Sequence, residues 1–388
     1  MRNLPWLRFI GRAAALVAVV CLFLVAIELM VVAVQQNAEA QVRAIFQMIH
    51  NPFVALFVGI LTTALVQSSS MTTSITVALT AAGALTYAQA VPVIIGANIG
   101  TTLTCFLVTL GHVMRKKEFR RAVSGSALHM LFNLLTALLL FPLEFFGHVL
   151  SGAAHWLAQQ MSGITEGWSF QGLNHWVIHP LAEQLMRWVG GSLLLTLGLA
   201  FLLIIAFIRL LSLMFRGFLE QQMFHRVSRL LTGTPWRALF SGLFLTILVQ
   251  SSSLTTSLIV TAVASNRLPL GRAFWLIMGA NIGTTLTALL ASLGHGEAAL
   301  TIALTHVLFN LCGICLLAPW TPIREGIVHM VSRLGRLHVQ HRMLGFVAVL
   351  LLFFVLPFLL IYTTRNENEK RLSPVSQQEE QRHPDLLP

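Results

Sequence analysis

The chain has 388 residues, 56% of them hydrophobic and 10% charged. Soluble domains carry about a quarter charged residues, so composition excludes that class, and the recurring apolar runs point to a membrane protein. The formal net charge of +11 does not point to nucleic acid, because the basic residues sit in short loops between apolar segments, as in cytoplasmic loops. Cys21, Cys105, Cys312 and Cys315 all fall in apolar segments. That argues against a stabilising disulfide, and Cys312 with Cys315 lacks the partners of a zinc site.

Arg2, Arg8 and Arg12 precede an apolar stretch from Ala13 to Val34. Ala38-Glu39-Ala40 resembles a signal-peptidase site, but the stretch is too long for a signal h-region, so it reads as a retained transmembrane helix. Residues 53–86 are apolar on both sides of Gln67-Ser68-Ser69-Ser70. As one helix they would run roughly 50 Å, at about 1.5 Å per residue, against a hydrocarbon core about 30 Å thick. That is too long for one upright span and too short for two. A re-entrant hairpin turning at Gln-Ser-Ser-Ser fits, with a tilted, kinked single helix as the alternative. Irregular backbone at such depth is tolerated only when buried in protein or lining a polar cavity.

The next span, 90–112, is interrupted by GANIGTT from Gly96 to Thr102. The spacing of Gly96 and Gly100 serves close helix packing. The added Asn98, Thr101 and Thr102 favour a broken helix with exposed carbonyls and hydroxyls. A basic cluster follows, with Arg115, Lys116, Lys117, Arg120 and Arg121. Then His129 and Asn133 lie one turn apart on one helix face. An intramembrane histidine is a functional candidate for coupling by default; a helix-packing hydrogen bond is the plainer reading. Residues 147–187 hold His148, His155, Trp156, Trp168, His175, Trp176 and His179. Interfacial aromatics and an amphipathic helix account for them better than a metal site.

The second half repeats the first. LVQSSSMTTS at 65–74 returns as LVQSSSLTTS at 248–257, and GANIGTTLT at 96–104 returns at 279–287. Gln67/Gln250, Asn98/Asn281, Pro52/Pro235 and Gly59/Gly242 share one offset of 183 residues. His129 and Asn133 return as His306 and Asn310 at an offset of 177. Equivalent loops carry opposite charge bias. The basic cluster after the first GANIGTT corresponds to Gly294-His295-Gly296-Glu297, and the stretch before the first copy holds only Arg43. Before the second copy stand Arg209, Arg216, Arg226, Arg229 and Arg237. Charge bias sets orientation, so the copies are expected to be inverted, as in many secondary transporters.

The expected fold is an all-α polytopic membrane protein with two inverted-topology repeats, each with a re-entrant helical hairpin and a broken transmembrane helix. The N-terminus is expected in the cytoplasm, with 113–121, 209–237, 265–272 and 321–342, while 147–187 is external. The organisation reads as residues 1–146 for the first helix and repeat one, 147–187 for an external linker and 188–318 for repeat two. Residues 319–363 are a cytoplasmic connector and last helix, and 364–388 a polar tail.

The signatures supply hydroxyls, amides and carbonyls but no carboxylate pair, thiolate or metal cluster. No acid–base partner and no nucleophile elbow support a serine hydrolase, so the chain does not read as an enzyme. If Ser68–Ser70 and Ser251–Ser253 begin half-helices, their free N–H groups and the dipole favour an anion. Gln67, Gln250, Asn98, Asn281 and the threonines Thr72, Thr73, Thr101, Thr102, Thr255, Thr256, Thr284 and Thr285 offer the oxygens that sodium needs. The motifs contain no Lys or Arg, so an anion there calls for co-bound cations.

The doubled QSSS…GANIGTT pattern with a trailing HxxFN resembles the type II sodium–phosphate cotransporter family, in its bacterial branch. The resemblance covers residues 51–146 and 234–318 with flanking helices. It implies two inverted repeats and the symport of inorganic phosphate with sodium across the inner membrane, without a resident cofactor. By the resemblance, phosphate contacts fall on Gln67, Ser68, Ser69, Ser70, Gln250, Ser251, Ser252 and Ser253. Sodium contacts fall on the Asn-Ile-Gly-Thr-Thr positions and Asn133. Electrogenic animal members carry an acidic residue where Met130 stands, so one sodium site is expected to be missing and transport to be electroneutral. A carrier of another small anion such as a carboxylate, and a membrane regulator without transport, are the alternatives. The sequence leaves a homo-oligomer open.

Overall fold

The computed structural model describes residues 5–37, 51–165, 174–219, 234–340 and 347–363. Ala38-Glu39-Ala40, Arg43, Trp168, Arg226, Arg229 and the tail 364–388 lie outside the described residues. Among the described residues every regular element is helical. The first is α1 (Pro5–Asn37). Helix α2 (Pro52–Val66) opens with Pro52 at its first position, where an absent N–H costs nothing. The Asn51 side chain accepts from the Phe53 N–H at 2.9 Å. Next come α3 (Ser69–Ala81), α4 (Tyr87–Gly100), α5 (Thr102–Leu110), α6 (Lys116–Gly147) and α7 (Val149–Thr165). A π-turn (Asn174–Ile178) leads into α8 (His179–Trp188), followed by α9 (Leu193–Leu219). The second half runs through α10 (Pro235–Val249), α11 (Ser252–Ala264), α12 (Leu270–Ser292), α13 (Gly296–Leu317), α14 (Thr321–Gln340) and α15 (Val347–Thr363).

Val17–Gln36, Tyr87–Leu110, Lys116–Gly147, Leu270–Ser292 and Gly296–Leu317 are long and apolar enough to cross a bilayer. This is an all-α membrane protein. Helices α2 and α3 are not of that kind: they have 15 and 13 residues. At about 1.5 Å per residue neither spans a core about 30 Å thick. They pack against each other, as do α10 and α11.

Two expectations are corrected. The GANIGTT segments are not broken helices. Helix α12 runs without interruption through Gly279–Thr285, and α4 passes into α5 through Thr101 at φ −62° and ψ −21°, which is helical backbone. The glycines serve packing instead. A Cβ on Gly96 would strike the Leu56 carbonyl, and one on Gly59 the Val93 carbonyl. Gly279 faces the Leu239 carbonyl and Gly242 the Leu276 carbonyl in the same way. So α2 lies backbone to backbone on α4, and α10 on α12, which only a missing side chain permits. Second, residues 209–219 continue α9 rather than starting a loop.

The two halves interlock. Helix α3 packs on α12 and α13, while α11 packs on α5 and α6. Each half therefore buries its short second helix in the other. Helix α14 lies along α6, with Gly335 against the Arg120 carbonyl and Ser124.

A buried carboxylate ties the N-terminal helix to this core. Glu28 of α1 stands 2.9 Å from His295 Nε2 and pairs through its other oxygen with His179 Nδ1. Both Glu28 and His295 are almost wholly buried. Removing one partner of a buried pair strands the other in a medium that solvates it poorly. Glu28→Ala is expected to cost about 3 kcal/mol and to lower the thermal midpoint in detergent by about 5 °C. An unchanged midpoint would show that the cluster adds nothing to stability.

Candidate functional site at the two serine turns

Each Gln-Ser-Ser-Ser run is a helix end followed at once by a helix start. Gln67 closes α2 at φ 58° and ψ 26°, its N–H bonded to the Thr63 carbonyl. Ser68 is extended at φ −149°, and α3 begins at Ser69. Gln250 repeats this at φ 53° and ψ 29°, with Ser251 at φ −152° and α11 beginning at Ser252. A left-handed residue ends a helix by satisfying its last carbonyls. The extended residue that follows is free to cap the next.

Ser68 and Ser251 do cap. The Ser68 hydroxyl oxygen accepts from the Met71 N–H at 3.3 Å, and that of Ser251 from the Leu254 N–H at 3.2 Å. These two hydroxyl oxygens are therefore committed to their own helices. The N–H groups of Ser69, Ser70, Ser252 and Ser253 precede the first intrahelical bond and form two helix starts for an anion. Ser69, Ser70 and Ser252 are buried.

The glutamines are held by residues absent from the expected site. Thr104 donates to Gln67 Oε1 at 2.8 Å, and Thr287 to Gln250 Oε1 at 3.2 Å. The amide nitrogens turn back onto their own helices, Gln67 Nε2 to the Ala64 carbonyl and Gln250 Nε2 to the Ile247 carbonyl. Thr104 and Thr287 close the repeated GANIGTTLT string, so their signal was present in the sequence. The halves meet at the second turn, where Thr101 Oγ1 lies 3.4 Å from Ser253 Oγ.

Most of the threonines proposed for sodium are turned onto nearby backbone. Thr72 donates to the Ser68 carbonyl, Thr73 to that of Ser70, Thr102 to that of Ile99 and Thr255 to that of Ser251. Thr256 donates to the Ser252 carbonyl, Thr284 to that of Ala280 and Thr285 to that of Ile282. Such back-bonds let a hydroxyl sit inside an apolar helix at little cost. The hydroxyl oxygens keep lone pairs.

The asparagines and histidines cross between halves. Asn281 Oδ1 accepts from His129 Nε2 at 3.0 Å, and Asn281 Nδ2 donates to Asn133 Oδ1 at 2.9 Å. In the reciprocal crossing Asn98 Oδ1 accepts from His306 Nε2 and from Asn310 Nδ2, both at 3.3 Å. Asn98 Nδ2 is spent on its own helix, on the Ile94 carbonyl at 2.9 Å. Asn133 and Asn310 also donate to the carbonyls of His129 and His306, each at 3.0 Å. All six side chains are buried. The sequence places His129 beside Asn133 on one face; that their partner comes from the other half is legible only in three dimensions.

The chain matches the model of the Na+/Pi-cotransporter family over residues 22–159 and 194–339. It is 31% identical over 387 residues to "Sodium-dependent phosphate transport protein 2A" of Mus musculus, covering 80% of this chain and 60% of that protein. It is 30% identical over 388 residues to the protein of the same name from Ovis aries, covering 79% and 60%. With "Sodium-dependent phosphate transport protein 2B" of Homo sapiens it shares 26% over 447 residues, covering 90% and 64%. The chain thus spans somewhat under two thirds of the length of these relatives. No solved structure matches it. With several apolar helices of spanning length and a family match over most of its length, this multi-pass membrane protein belongs to the Na+/Pi-cotransporter family.

Proposed function

We propose that the chain is a secondary active symporter that carries inorganic phosphate into the cell together with sodium, and not an enzyme. The observation that carries this reading is the pair of buried helix starts at Ser69 and Ser252, each next to a left-handed glutamine. Two helix N-termini offer an anion N–H donors and partial positive charge without a fixed cation. Co-bound sodium supplies the missing charge. The names of the relatives agree with that pairing of solutes.

On this reading Gln67, Ser69, Ser70, Gln250, Ser252 and Ser253 line the phosphate site, with Ser68 and Ser251 shaping it as caps. Asn98, Asn281 and the lone pairs of the signature threonines surround it for sodium. Helix pairs α2–α3 and α10–α11 are re-entrant hairpins of two inverted repeats, with residues 147–187 between them outside the cell. The protein sits in the inner membrane with its N-terminus in the cytoplasm. Met130, in place of an acidic residue, makes transport electroneutral.

The test is uptake of labelled phosphate into proteoliposomes, with and without an inward sodium gradient. Uptake is expected to rise at least tenfold with the gradient. Uptake indifferent to sodium would sink the reading. Phosphate-dependent current under voltage clamp would contradict electroneutrality alone.

A further inference from the structure

Helix α14 is the counterpart of α7. The offset of 177 residues that relates His129 to His306 also relates Leu150 to Ile327, Ala154 to Val331 and Ala158 to Gly335. All six of these helix positions are buried. Each helix packs on the long helix of the other half, α7 on α13 and α14 on α6. The seats are alike, but the faces turned away from them are not. Arg333 and Arg336 of α14, both exposed, stand where α7 has Trp156 and Gln159.

The outer face of α14 has an apolar edge and a basic one. Ile323, Met330 and Leu337 are 43%, 50% and 53% exposed, and their seven-residue steps, two helical turns each, align them. Arg333 borders that edge, one turn from Met330 and one from Leu337, and Arg336 lies beyond it on the polar side. Gly335 fixes where this face sits. A Cβ there would strike Ser124 Oγ and the Arg120 carbonyl, so α14 lies tight on the first turns of α6. Those turns carry Lys116, Lys117, Arg120 and Arg121. Glu118, the one acidic residue in that run, is taken by Arg115 at 2.9 Å. Among the described residues none of these four cations, nor Arg333 or Arg336, forms an ion pair.

Only Ala318–Trp320 separate α14 from α13, a helix of spanning length, so α14 starts where the chain leaves the bilayer core. Trp320 is 62% exposed, as tryptophans at a membrane boundary are. A helix in open water has no use for the apolar edge, and one deep among acyl chains has none for unpaired arginines. Both together mark a helix lying in the headgroup layer. We propose that the Ile323–Met330–Leu337 edge of α14 rests in the acyl boundary, and that Arg333 and Arg336, with the basic start of α6, bind the phosphodiester headgroups of anionic lipid. This goes beyond the coupled transport proposed above and does not depend on it. On the orientation proposed there, the leaflet is the cytoplasmic one.

The test reads lipid binding and depth, without transport. Native mass spectrometry of the purified protein measures retention of phosphatidylglycerol against phosphatidylcholine. The wild type is expected to prefer phosphatidylglycerol. The double variant Arg333→Gln, Arg336→Gln is expected to lose about tenfold of that preference, the order expected for two basic groups at an anionic surface. Arg267→Gln, an exposed arginine elsewhere, is expected to keep it. Excess inorganic phosphate is expected not to displace the lipid; displacement would make this a free-anion site and overturn the lipid assignment. Depth is read by a nitroxide at Met330→Cys or Glu325→Cys, with Cys21, Cys312 and Cys315 replaced by serine, in phosphatidylcholine vesicles containing phosphatidylglycerol. The label at 330 is expected to meet oxygen dissolved in the lipid, and the label at 325 a water-soluble nickel relaxant. The depth measurement decides the matter even if the double variant fails to fold. Equal retention of the two lipids, or a preference kept by the double variant, would overturn the proposal. So would a label at 330 open to the nickel relaxant, or one shielded from both relaxants by a protein partner.

Discussion

Gly279→Ala is expected to lose most of the folded protein, although it adds a single methyl group. That methyl would lie 2.8 Å from the Leu239 carbonyl carbon and 2.8 Å from the Leu243 nitrogen, with the Leu239 oxygen closer still. The obstacles are backbone atoms of α10, so no rotamer change relieves the contact. The helices must separate, and overpacking of this kind costs about 3 kcal/mol or more. The same helix pair also sets the second serine turn. Gly283, one turn beyond Gly279, would touch Thr246, whose carbonyl accepts the Gln250 N–H at 2.7 Å. Gly152→Ala is the control. Nothing lies within 4 Å of its added methyl, and replacing a helical glycine by alanine gains about 1 kcal/mol. Size-exclusion profiles of the two variants in detergent should therefore diverge. Equal recovery of both would mean that the close approach of α10 and α12 is not needed for folding.

The same glycines show what the sequence could and could not tell. The constant offset of 183 residues finds Gln67 with Gln250 and Asn98 with Asn281, because identical polar residues stand out in an apolar chain. It also places the ends of α2 and α10 at the glutamines. It does not say whether Gly96 relieves a crossing or breaks a helix. Both roles need a missing side chain, and the polar Asn98, Thr101 and Thr102 tilted the reading towards a break. Thr102 and Thr285 resolve it by bonding to carbonyls three residues back, so polar composition required no unwinding. Nor does an offset say which half packs on which. That α3 is buried by α12 and α13 depends on shape summed over many apolar side chains. Glu28 is legible in the sequence: one acidic residue inside the first apolar run is costly unless paired. Its partners His179 and His295 lie about 150 and 270 residues away, beyond any local pattern.

Gln67→Gly is expected to keep the fold and lose about 99% of the proposed sodium-driven phosphate uptake, while Gln67→Ala loses both stability and uptake. At φ 58° a side chain costs about 1–2 kcal/mol, a cost that glycine escapes. Against that gain stand two hydrogen bonds, from Thr104 to Oε1 and from Nε2 to the Ala64 carbonyl, each worth about 1 kcal/mol net. The two sides nearly cancel, so the thermal midpoint of the glycine variant should stay within a few degrees of the wild type. Alanine loses the same bonds and keeps the strain, and its midpoint should fall. Uptake follows a different rule. The glutamine carries the only side-chain amide in the first serine turn, held in place by Thr104, and its loss removes a polar group from the proposed phosphate site whatever the backbone does. A fall of about a hundredfold corresponds to about 2.7 kcal/mol, within reach of one hydrogen bond to a charged ligand together with the positioning it provides. Gln250→Gly should behave alike, because φ 53° and the bond from Thr287 recur there. A glycine variant that folds and transports phosphate at the wild-type rate would remove the glutamine from the site and leave it a helix stop. A variant that folds, and is silent, separates the turn from its chemistry.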